Sequence, residues 1–170
     1  MFAADALVIQ AAPVPLHPNE PENRALGRLV YRGGLVLTAS HGEFGGLSDL
    51  NVSPDGRRLL AISDRGHWVD GELLYDAQGR VAGIAKGRLG TLLDFYGKPL
   101  RGLAGDAEAL AVYPDGSALV SFERRHRLWL YPPSDPPFIY PPRAVPLPRR
   151  AGEMPENGGI EGRSEEHTSE

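Results

Sequence analysis

Carboxylates stand at matching places along this chain. Glu108 lies in a short apolar stretch, Ala107–Val112, with Asp106 just before it. Glu161 follows Asn157-Gly158-Gly159-Ile160 in the same way, and Asp49 sits in the stretch Leu47–Val52. Asp64 and Glu123 lie near the ends of the stretches that come next. A ring of such hard oxygen donors would suit Ca²⁺, which takes about 6–8 oxygen ligands. A cation held there could bind a phosphate or polarise an ester. Asp49, Asp64, Asp106, Glu108, Glu123 and Glu161 are therefore the candidate metal ligands. No dense Asp-x-Asp-x-Asp loop supports them, and the same acids would serve equally as turn caps or arginine partners.

Arg65 and Arg124 follow acids in sequence, and a guanidinium fork can grip a phosphate or carboxylate with two parallel hydrogen bonds. Alternatively they form surface ion pairs with their neighbours, which contribute little. Glu108, Glu161, Arg65 and Arg124 are the candidates for a catalytic role. A serine hydrolase is not indicated: Gly-x-Ser-x-Gly is absent, and Gly46-Leu47-Ser48-Asp49 only approaches it. His41, His67 and His126 read as loop histidines and His17 as a surface one.

The elements that must position these groups are short strands. Tyr113-Pro114-Asp115-Gly116 is a turn signal, because Pro presets φ and Gly accepts positive φ. Ala107–Val112 and Ala118–Phe122 flank it as strands, and Leu128–Tyr131 offers a third. The same unit occurs earlier: Leu47–Trp68 aligns with it without a gap at an offset of 60 residues. Pro54-Asp55-Gly56 then falls on Pro114-Asp115-Gly116, and Ser63-Asp64-Arg65 on Glu123-Arg124-Arg125. A third copy begins at Asn157–Glu161. Repeated strand hairpins predict an all-β protein, an incomplete β-propeller of about two blades plus the start of a third. Trp68 and Trp129 read as blade core.

The first blade is expected over Leu47–Leu89, with a hairpin turning at Asp76–Arg80. The fourth strand of the second is expected within Phe138–Leu147, where prolines favour an edge position. Ala6–Ala11 reads either as a first strand or as the remnant of an export signal. Leu29–Tyr31 and Leu35–Leu37 flank Gly33-Gly34 as a hairpin, and Leu92–Tyr96 offers a brief strand. No helix is predicted, since apolar residues hold no 3.6-residue period over a long window.

Gly 21 and Pro 16 make 37 of 170 residues, which with periodic turns favours a loop-rich β fold. Net charge −4 gives no electrostatic case for nucleic acid. No apolar run approaches the ~20 residues of a membrane helix. Cys 0 removes disulfides and thiolate metal sites. The final residues, Arg163–Glu170, match the in-frame translation of AGATCGGAAGAGCACACGTCTGAA, a common sequencing-adapter start, and are set aside. The expected organisation is an N-terminal segment with a Pro-rich loop (1–23), a truncated propeller domain (24–162) and this tail (163–170).

Phe44–Leu50, Ile62-Ser63-Asp64-Arg65-Gly66, Asp106–Leu110, Ser121-Phe122-Glu123-Arg124 and Asn157–Glu161, taken in this order, resemble the phytase-like family. Its members are labelled esterase-like activity of phytase family proteins. The resemblance runs from about Arg28 to Gly162. It implies an exported bacterial β-propeller longer than this chain, periplasmic or secreted, with phosphoester or ester hydrolase activity on a small molecule. The rival reading is a non-catalytic binding scaffold in the cell envelope. The full-length form is expected to be a monomer, with calcium as the cofactor and no nucleic-acid partner or membrane span. The 170 residues alone are expected to be inactive.

Overall fold

The computed structural model describes residues 4–147, 149–155 and 160. The fold is all-β. Its only helical pieces among the described residues are two short 3-10 segments, Gly102–Ala104 and Arg149–Glu153. In chain order the strands are β1 (Asp5–Leu7), β2 (Ile9–Pro13), β3 (Ala25–Leu26), β4 (Leu29–Val30), β5 (Leu35–Ala39), β6 (Leu47–Val52) and β7 (Arg58–Ser63). They continue as β8 (His67–Tyr75), β9 (Val81–Thr91), β10 (Ala107–Val112), β11 (Ala118–Phe122), β12 (Arg127–Tyr131) and β13 (Arg143–Val145).

Two antiparallel sheets dominate, a five-stranded one in the order β1-β9-β8-β7-β6 and a four-stranded one in the order β10-β11-β12-β13. No sheet closes on itself among the described residues. Both repeat hairpins form where the Pro-Asp-Gly turns place them, and Gly56 and Gly116 both take positive φ. The Asp76–Arg80 turn joins β8 to β9, and β13 falls inside Phe138–Leu147.

The gapless alignment of the repeats does not survive in the register. Residues 53–58 lie between the paired Val52 and Leu59, but only residues 113–117 lie between the paired Val112 and Ala118. The first turn is therefore one residue longer. Its extra residue is held by Ser53, whose Oγ accepts the N–H groups of Arg57 and Arg58 at 3.2 and 2.8 Å. Beyond the turn the offset becomes 59, so Asp64-Arg65 matches Glu123-Arg124.

The N-terminal strands depart from expectation in their partners. β5 pairs with β2 across a long connection, whereas Gly33-Gly34 turns no hairpin. β3 and β4 pair with each other around Gly27-Arg28 instead. Near the Leu92–Tyr96 stretch only an isolated bridge forms, Leu93 to Pro99.

The main core lies where the two large sheets meet. Ile62 and Trp68 from the first sheet pack with Leu110, Val120, Phe122 and Trp129 from the second. Phe138, from the proline-rich loop after β12, sits against both Trp68 and Tyr131. Burial raises the pKa of the Tyr131 phenol, which donates to the Leu93 carbonyl at 2.8 Å. A smaller cluster of Leu7, Val69 and Leu89 packs against Ile9, Ala39 and Phe44. The same proline-rich loop is tied to the first sheet by charge. Asp70 is buried at 2% exposure and accepts both Arg88 and Arg58, and Asp135 on the loop adds a second carboxylate to Arg88 at 2.7 Å. Arg88 is held charged by these carboxylates, and Arg88 in turn holds the Asp135 carboxyl below its usual range.

Candidate functional site

The site is built on the first strand of the second sheet. β10 enters its pairing with β11 through a bulge: Ala107 pairs with Phe122 and Ala109 with Ser121, which leaves Glu108 as the extra residue. A bulge twists the strand and re-aims its side chain. Here one carboxylate oxygen from each of Asp106, Glu108 and Glu123 falls within 4.8 Å of the other two. Asp106 is buried. Its carbonyl accepts the Glu123 N–H at 2.9 Å, and its carboxylate accepts Arg124 Nε at 2.5 Å. Arg124 pays for this position with a left-handed backbone, φ 53°, a conformation that costs a non-glycine residue about 1–3 kcal/mol.

Asp106 shows how the two sheets differ. Its counterpart opposite Asp64 in the first sheet is Gly46, whose carbonyl accepts the Asp64 N–H at 2.9 Å. The bulge recurs there with Ser48 as its extra residue, where the second sheet has Glu108. Of the acid trio the first sheet thus keeps Asp64 alone. The Asp64 side chain folds over Gly46 so closely that a Cβ there would collide with its Oδ1.

The remaining sequence candidates fall in different places. Asp49 stands apart from the trio: its Oδ1 accepts the Leu50 N–H at 2.7 Å and its Oδ2 the Leu110 N–H at 2.8 Å, linking β6 to β10. Glu161 lies outside the described residues. Ile160 beside it accepts a hydrogen bond from Ser121 Oγ at 2.7 Å.

Asp64, Arg65, Asp106 and Arg124 line one cleft of about 820 Å³ between the two sheets. Backbone contact brings them together. The turn carrying Arg65 meets the residue before Asp106 where a Cβ on Gly105 would lie 2.9 Å from Gly66 Cα and 3.0 Å from the Arg65 carbonyl. Neither glycine can carry a side chain without moving the other strand.

Sequence reasoning missed two residues of this cleft. His67 lines it and its Nε2 lies 3.4 Å from a Glu43 carboxylate oxygen. Burial lowers the His67 pKa, and Glu43 only partly opposes this. Arg101, exposed on the connector before the first 3-10 turn, also lines it. Nothing local marks either, because they reach the cleft only through the packing of separate loops. The aromatic neighbours of the site belong to the core: Trp68 and Trp129 are both buried. Arg127 lies over the rings of Phe122 and Trp129, and burial lowers its pKa to about 10.

An all-β chain with a bulge-mounted acid trio beside an arginine-lined cleft is the setting in which the sequence comparison falls. Residues 42–165 match the family model Phytase-like, described as esterase-like activity of phytase. The chain belongs to this family. No curated protein and no solved structure matches it.

Proposed function

We propose that this chain is an arc of an exported β-propeller that hydrolyses a phosphoester or carboxylester with the help of a divalent cation. The observation that carries the reading is the convergence of Asp106, Glu108 and Glu123 within 4.8 Å. Ca²⁺ binds oxygen at about 2.3–2.6 Å, so oxygens sharing one ion lie up to about 5 Å apart. The donor set, carboxylate oxygen without sulfur or imidazole, also fits a hard cation. When bound, such an ion supplies Lewis acidity toward an ester oxygen.

The chain's own residues prepare that chemistry. The bulge holds Glu108 toward Asp106 and Glu123 without a flexible loop. Arg124 fixes the orientation of the Asp106 carboxylate. The family description, esterase-like activity of phytase, supports ester hydrolysis as the reaction class. Two repeat hairpins that each begin with a bulge and turn at Pro-Asp-Gly support the propeller. Among the described residues no helix is long and apolar enough to cross a membrane.

Nitrophenyl phosphate and nitrophenyl acetate, offered to the full-length protein with and without EDTA, test the reading. Hydrolysis lost on chelation, restored by Ca²⁺ and reduced in Glu108→Gln is the expected result. Calcium binding with no hydrolysis of either would instead make the protein a binding scaffold.

A further inference from the structure

We infer that the cleft between the two sheets is an oxyanion pocket in which Arg101 and Arg65 grip a phosphoryl or carboxylate group. This deepens the ester reading, and rests on it only in making the anion part of a substrate. The charges in the cleft differ in how far they are already engaged. Arg124 is committed to Asp106 at 2.5 Å. Glu43 reaches to within 3.4 Å of His67 Nε2. Asp64 lies over Gly46 and approaches Arg65 at Nε, at 3.9 Å, beyond hydrogen-bond distance. The Arg65 side chain donates no hydrogen bond among the described residues. Arg101 has no ion pair among them either.

An incoming anion would thus find two arginines, each without a side-chain hydrogen bond among the described residues, in the lining of one cleft. Guanidinium forks match the geometry of phosphate and carboxylate oxygens, and their hydrogen bonds to such groups are the strong, charge-assisted kind. At about 820 Å³ the space is within the range of small-molecule clefts. Asp106 lines the same cleft and belongs to the acid trio, so the bound anion would lie next to the proposed cation.

Calorimetric titration of the full-length protein at low ionic strength, with inorganic phosphate in one arm and acetate in the other, tests this. Phosphate should bind, and Arg101→Ala or Arg101→Gln should weaken it about tenfold or more with an unchanged melting temperature. Lys86→Ala, which removes an exposed cation paired with Glu72, should leave binding as it was. Acetate binding in place of phosphate, with the same loss in the Arg101 variants, would keep the pocket and assign it a carboxylate. No binding of either anion, or equal binding by wild type and the Arg101 variants, overturns the inference. Ester hydrolysis without anion binding would sink this inference alone, whereas Arg101-dependent binding without hydrolysis would sink the ester reading alone.

Discussion

The Asp49 carboxylate accepts the backbone N–H of Leu110 at 2.8 Å, joining β6, an edge strand of one large sheet, to β10, an edge strand of the other, across 61 positions of sequence. The contact is part-buried, and the Leu110 amide would have to find another acceptor without it. Hydrogen bonds to a charged group contribute about 1.5–3 kcal/mol. Asp49→Ala should therefore cost about 1–3 kcal/mol in urea unfolding, with Asp49→Asn losing less because it keeps an acceptor. A variant as stable as wild type would mean that Asp49 does not hold the sheets together.

Calcium affinity should follow the second sheet and not the first. Glu108→Gln or Glu123→Gln should lower Ca²⁺ affinity in titration calorimetry while circular dichroism stays unchanged. Ser48→Ala, at the equivalent bulge of the first sheet, should leave it alone. Equal affinity in the Glu108 variant would return the trio to a structural role.

The Asp70 cluster offers a sharper stability test. Asp70 is buried and serves Arg88 and Arg58 together. Without Asp70, Arg88 keeps Asp135 and Arg58 is half exposed, so the loss should fall below the ~3–5 kcal/mol of a fully buried pair. Asp70→Leu should show that loss, and Asp70→Leu with Arg88→Met should recover much of it. If the double variant is no better than the single one, packing and not charge holds this part of the fold.

His67 should make stability depend on pH. Burial holds its pKa in the fold below the ordinary histidine value of 6.5. The unfolded chain then binds the proton more readily, so stability rises with pH in this range. The contribution is complete above pH 6.5 and is lost as pH falls through the lower folded value. Thermal melts taken downward from pH 7 should fall more steeply for wild type than for His67→Gln. Parallel pH profiles would show that His67 is already free to titrate in the fold.

Gly46 tests the difference between the repeats. It has φ 60°, and a Cβ there would collide with Asp64. Gly46→Ala should destabilise the protein by roughly 1 kcal/mol or more, since both the backbone and the contact are unfavourable. Adding Asp64→Gly should relieve the collision and leave only the backbone cost. A neutral Gly46→Ala would mean that Asp64 moves aside freely.

The sequence by itself determined the local pieces. Pro-Asp-Gly between apolar stretches is enough to turn β6 into β7 and β10 into β11, because turn chemistry acts over a few residues. The family resemblance was legible in other short motifs, among them Phe44–Leu50 and Asp106–Leu110, and the family model covers residues 42–165. Tertiary structure alone decided which residues meet. Which residue stands opposite Asp106 depends on how many residues the turn absorbs, and Ser53 holds one more in the first turn than the second turn contains. That one-residue difference is why Asp64, and not Ser63, is the partner in place of Glu123. The pairing of β5 with β2, and the meeting of Arg65, His67 and Arg101 with Asp106, rest on contacts between distant segments. Such contacts follow from the packing of backbones as close as Gly66 and Gly105, which no local pattern of residues encodes.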